Sequence, residues 1–191
     1  DTKVFYSDQT SGNKIETRIA KGKYSALLEA DKIHVAGMSS GRLDSYSDAK
    51  RDFVSNKSLN LDFLLSYDKE NHILTFDPSK IELEKNKIDL IGRIHFIDGD
   101  KIFDLKARIR QGSIADFGAM LSNSDAAFNK MKSGGEINLD ASVKGRYDKT
   151  HMPEIVAEVQ INDGALQSEL YDIAITKINS KAKFQYSKER S

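Results

Sequence analysis

Cysteine is absent from this 191-residue chain. That excludes disulfides and thiolate metal sites, and it fits the cytosol as well as a bacterial periplasmic protein that relies on a sheet core. Tryptophan is absent too, and no basic stripe with interleaved aromatics occurs. Lys+Arg and Asp+Glu both number 29, so the formal charge is zero and gives no general attraction to nucleic acid or anionic lipid. No run approaches the ~20 apolar residues of a membrane-spanning helix. Phosphate-loop, EF-hand and dinucleotide-binding fingerprints are also missing. The chain opens Asp1-Thr2-Lys3 with no initiator Met and no signal-peptide pattern, and the expectation is a segment cut from a longer protein or a processed chain, with any anchor or targeting signal outside it.

What is present is alternation. Leu59, Leu61, Phe63, Leu65 and Tyr67 occupy every second position. The pattern returns at Ile88, Leu90, Ile94 and Phe96, with Gly92 in the middle slot, and at Phe103, Leu105, Ala107 and Ile109. It returns again at Ile137, Leu139, Ala141 and Val143, then at Ile155, Ala157, Val159 and Ile161. A period of two places one set of side chains on one face of a β-sheet and the charged set on the other. With 39% hydrophobic and 30% charged residues, two architectures fit: a sandwich with polar outer faces, or a curved open sheet apolar on one side.

Along the chain, residues 1–55 read as shorter, noisier strands: Lys3–Ser7, Asn13–Ala20, Lys23–Glu29 and Lys32–Ala36, with a turn at Ser11-Gly12-Asn13. Gly37 to Asp52, rich in Ser, Gly and Asp, reads as a turn and a short irregular strand. Residues 56–191 form a regular meander within the same strand-rich segment. Pro78 cannot donate to a ladder and predicts a break between His72–Asp77 and Lys80–Glu84. Asp98-Gly99-Asp100 predicts a hairpin. A single helical segment is predicted over Ser113–Lys132, capped at Ser113 and ended by Gly134-Gly135. It would close one end of the sheet over its apolar face. A weak internal repeat links Gly92-Arg93 and a strand ending at Gly112 to Gly145-Arg146 and a strand ending at Gly164.

Signals for chemistry are thin. Gly37-Met38-Ser39-Ser40-Gly41 matches the G-x-S-x-G nucleophile pattern, but neither the helix start nor the parallel sheet that motif requires follows it, so a Ser/Gly-rich turn is expected. His34, His72, His95 and His151 have no metal-ligand spacing. The acidic residues mostly alternate with apolar ones, as a solvated sheet face requires. The expectation is therefore no enzyme, no catalytic residue, no metal and no cofactor.

The C-terminal third carries a resemblance. Leu139-Asp140-Ala141-Ser142-Val143-Lys144-Gly145-Arg146-Tyr147, followed by Met152-Pro153 and the alternating run Glu154 to Gly164, resembles the AsmA-like family of Gram-negative cell-envelope proteins. Asn86 to Gly92 and the region of Phe117 and Leu121 sit where that family places similar elements. The resemblance implies a long, mostly antiparallel sheet curled into a trough or partly closed sandwich, in a periplasmic protein tethered to the inner membrane. It further implies a part in outer-membrane biogenesis and phospholipid transport.

The expected lining of that trough is Leu59, Leu61, Phe63, Leu65, Ile88, Leu90, Ile94, Phe96, Phe103, Leu105, Ile109, Ile137, Leu139, Val143, Ile155, Val159 and Ile161. Expected partners are phospholipid acyl chains and neighbouring segments of the same full-length chain. The alternative is a periplasmic assembly module with a sealed core that pairs through its sheet edges.

Overall fold

The computed structural model describes residues 1–8, 12–48, 52–117, 131–168 and 172–187. Among them lie ten strands: β1 (Thr2–Ser7), β2 (Lys14–Leu28), β3 (Lys32–Ser47), β4 (Asp52–Asp68), β5 (Ile73–Leu83), β6 (Asn86–Ile97), β7 (Asp100–Ser113), β8 (Met131–Tyr147), β9 (Glu154–Ser168) and β10 (Ile173–Tyr186). They form a single antiparallel sheet whose spatial order is the chain order. The sheet is an open trough: β1 and β10 stand at opposite edges and do not meet. At ~3.4 Å per residue and ~4.8 Å between strands, it extends about 50 Å along the strands and about 45 Å across them.

Short polar turns set this order, because each returns the chain beside the strand just completed. Asp98-Gly99 is a two-residue hairpin loop in which both residues have positive φ (49° and 89°), and Ile97 faces Asp100 across it. That is the primed turn whose twist matches two antiparallel strands. Gly12 and Asn13 close on Asp8 through backbone bonds of 2.8 and 2.9 Å. Between β8 and β9, Asp148 accepts from the amides of Thr150 and His151, both at 2.7 Å.

Several expectations need correction. Lys14–Leu28 is one strand, and β3 runs straight through Gly37 to Gly41 instead of turning there. The glycines there answer a need for space. The rings of Tyr24 and Phe63, 6.2 Å apart, lie where a Gly37 side chain would be, and a Cβ on Gly41 would strike the Arg18 backbone. Pro78 does not break β5, because the register shifts around it on both sides and a bulge absorbs the missing donor. Gly112 lies one residue before the end of β7, whereas Gly164 is not a strand end. Each follows a residue of positive φ (Gln111 53°, Asp163 48°) beside a shift in ladder register, and β9 continues to Ser168.

Of the predicted helix, 114–117 is helical, with the Asp116 amide donating to Ser113 Oγ at 3.2 Å as the cap requires. Met131 and Lys132 belong instead to β8, as do Gly134 and Gly135, and 118–130 lie outside the described residues.

No second layer of strands covers the sheet among the described residues. Their buried hydrophobic residues are Val54 and Ile109 alone. Total accessible surface is 12937 Å², whereas a compact monomer of this mass would expose about 9,100 Å². The fold is quasi-one-dimensional, since every substantial strand contact is with a sequence neighbour.

Candidate functional site

Ladder register decides which side chains share a face. Partners across a ladder project to the same side, and this propagates from strand to strand. One continuous row reads Ser39, Leu61, Ile81, Ile88, Ile109, Leu139, Val159 and Ala182 across eight strands. A parallel row reads Ala26, Val35, Leu65, Phe76, Gly92, Leu105, Val143, Ile155 and Tyr186. A third reads Leu28, Ile33, Tyr67, Leu74, Ile94 and Phe103.

All seventeen residues named from the sequence fall on this face. Eleven sit in the three rows. Leu90 opposes Ser79 and Ala107, Leu59 opposes Gly41 and Leu83, Phe63 opposes Gly37, Phe96 opposes Lys101, and Ile137 opposes Ile161. Most are half-buried, and Ile155 is 38% exposed. They shelter one another sideways while their outer surfaces face no second strand layer among the described residues.

Relief on the face comes from residue size. Between the first two rows runs a band of Ser79, Leu90, Ala107, Ala141, Ala157 and Phe184. Three consecutive alanines on β7, β8 and β9 leave a furrow. It is walled by Ile109, Leu139 and Val159 on one side and by Leu105, Val143 and Ile155 on the other. The walls lie four residues apart along each strand, ~13.6 Å from backbone to backbone, and their leucine, isoleucine and valine side chains narrow the gap between them.

Sequence reasoning missed several members of the face. Leu74, Phe76 and Ile81 were lost because the bulge around Pro78 breaks the period-two phase of β5. Tyr24, Ala26, Leu28, Ile33 and Val35 were lost because Gly22, Gly37 and Ser39 interleave them with small residues. Phe184 and Tyr186, 62% and 47% exposed on β10, carry the face to the sheet's edge. Their signal was the short alternation Ala182, Phe184, Tyr186.

The opposite face is ionic. Asp140 accepts from Arg108 Nε (2.9 Å) and from Arg110 Nη2 (2.9 and 2.8 Å). The Arg108 bond, and then those of Arg110, hold its carboxyl below the ordinary range despite some desolvation. A hollow of about 650 Å³ on this face is lined by Lys21, Lys23, Lys80 and Lys87 together with Asn60, Asp62 and Glu82. Charges of both signs surround it, as on a solvated sheet surface.

Ser39 lies mid-strand, opposite Gly22 and Leu61 on the apolar face. His34 is 3.8 Å from Glu29, His72 Nδ1 is 3.1 Å from the Tyr67 hydroxyl, and His151 Nδ1 is 2.8 Å from Asp148. His95 pairs with Ile73 and Ile102 in the ladder. Among the described residues no three His, Asp or Glu side chains gather where a metal could sit. What the arrangement offers is apolar surface with a furrow in it. Comparison with known protein families, curated proteins and solved structures returns no match to this chain.

Proposed function

We propose that this chain is a non-enzymatic trough segment of an AsmA-like cell-envelope protein that shelters phospholipid acyl chains on their way through the periplasm to the outer membrane. One observation carries the reading: an apolar face, continuous across nine strands, that no second strand layer covers among the described residues. Exposed apolar surface of this extent marks a lipid or protein site. The alanine furrow favours lipid, because a hydrocarbon chain needs width and apolar walls but no polar anchor.

Native mass spectrometry after mild purification tests the proposal. Retained phospholipid, released by furrow-filling substitutions at Ala107 and Ala157, supports it. Lipid-free protein that also fails to take up a fluorescent acyl probe overturns it. A second reading, an assembly module that pairs through sheet edges, is favoured by the exposed apolar residues on β1, β2 and β10. It would give a lipid-free, discrete oligomer in the same experiment.

A further inference from the structure

The furrow has ends as well as walls. Across the sheet its band reads Leu90 on β6, then Ala107, Ala141 and Ala157, then Phe184 on β10. A large side chain stands at either end of three small ones, in one ladder row and on one face. Behind Leu90 lies Ser79, 3% exposed, whose hydroxyl donates to the Asp77 carbonyl at 2.8 Å and accepts from the Leu64 amide at 3.3 Å. Leu90 therefore separates the alanines from a small residue that is already satisfied. Four strand spacings of ~4.8 Å lie between Leu90 and Phe184, about 19 Å from backbone to backbone, of which the three alanine strands take about 14 Å. An acyl chain in one leaflet of a bilayer spans about 15 Å, half of the ~30 Å hydrocarbon core.

We infer that the furrow is a berth for one acyl chain and that Leu90 and Phe184 set the length it accepts. The inference rests on the lipid reading above and adds a chain-length limit to it. A peptide in the same place would leave its own backbone groups unpaired, because β7, β8 and β9 already pair with one another through this stretch. A hydrocarbon chain has no such groups to satisfy. It would lie across the strands, along the row of alanines, with its polar end turned out over the open side.

The test uses the lipid-free 191-residue chain and saturated fatty acids from octanoate to icosanoate, each displacing a fluorescent acyl probe. One side of the furrow is open, so a methylene that enters it gains about half of full burial, and affinity should rise about two-fold with each one. The rise should level off by hexadecanoate, when the berth is full. Ala107→Leu moves the stop one strand inward and should bring the levelling to a shorter acid. Leu90→Ala removes the stop and should carry it to a longer one. Loss of fold would weaken every acid alike and could not produce shifts in opposite directions; if Leu90→Ala does not fold, Ala107→Leu alone decides. Levelling at one length in all three proteins, shifts in the same direction, or affinity that climbs steadily through icosanoate would overturn the inference and leave the lipid reading standing. Failure to take up the probe or any acid would overturn both.

Discussion

Replacing Ala141 with tryptophan puts the only indole of the protein into the middle of the furrow, between Ala107 and Ala157 on the adjacent strands. If the face is uncovered, the ring lies flat across two small neighbours and displaces only water. Cross-strand pairs of this kind contribute about 0.2–1 kcal/mol, so the net change should stay within about 1 kcal/mol of zero. For a chain of this length that is a Tm change of no more than about 2–4 °C. In a filled interior the same substitution would overpack the site by the volume of an indole. Overpacking by single methylenes already costs about 1–3 kcal/mol, so a fall of ten degrees or more would follow. Emission offers a second reading of the same variant. The indole should emit as a solvent-exposed tryptophan in lipid-free protein and shift to the blue when phospholipid vesicles or a free fatty acid are added. Loss of more than about 3 kcal/mol, or blue-shifted emission before any lipid is present, would refute the argument that this face is open.

Gly92, with φ 135°, sits where a Cβ would strike the Asp104 carbonyl and Leu105 Cα, so Gly92→Ala should cost at least about 3 kcal/mol in urea unfolding. Gly99→Ala, with open space around it but φ 89°, should cost only the backbone strain of about 1–2 kcal/mol, and a loss equal to that of Gly92→Ala would contradict this account. Because every substantial strand contact is with a sequence neighbour, amide exchange should be fastest in β1 and β10 and slowest in β6 to β8; uniform protection would show a cooperativity that the contacts do not supply. Desolvation works to raise the Asp148 pKa, but bonds from the Thr150 amide and hydroxyl and from the His151 ring and amide hold it well below the usual carboxylate range. Its contribution is therefore complete above the unfolded value near pH 4 and is lost as pH falls through the lower folded value. Exchange protection at Thr150 and His151 should survive acidification to about pH 4 and vanish in Asp148→Ala at any pH; loss between pH 6 and 5 in the native chain would sink the assignment.

Much of the architecture could be read from residue order. Period two in Leu59 to Tyr67, and in its recurrences up to Ile161, names the strands and the side that is apolar, because a strand's alternation is a local property of its backbone. The Asp98-Gly99 turn and the Ser113 cap are equally local, each depending on a residue within three positions. Legibility failed where a distant strand set the local requirement. Gly37 reads as turn chemistry until Tyr24 and Phe63 are seen to fill the space above it, and Pro78 reads as a break until a bulge accommodates it.

The candidate site divides in the same way. Each of its seventeen residues could be named from alternation. That Ala107, Ala141 and Ala157 line up into a furrow depends on the pairings of Ala107 with Ala141 and of Ala141 with Ala157, between strands that no periodicity brings together. Alternation says that a strand has an apolar side; only the order and number of strands decide whether anything comes to lie against that side, or beside the last strand in line.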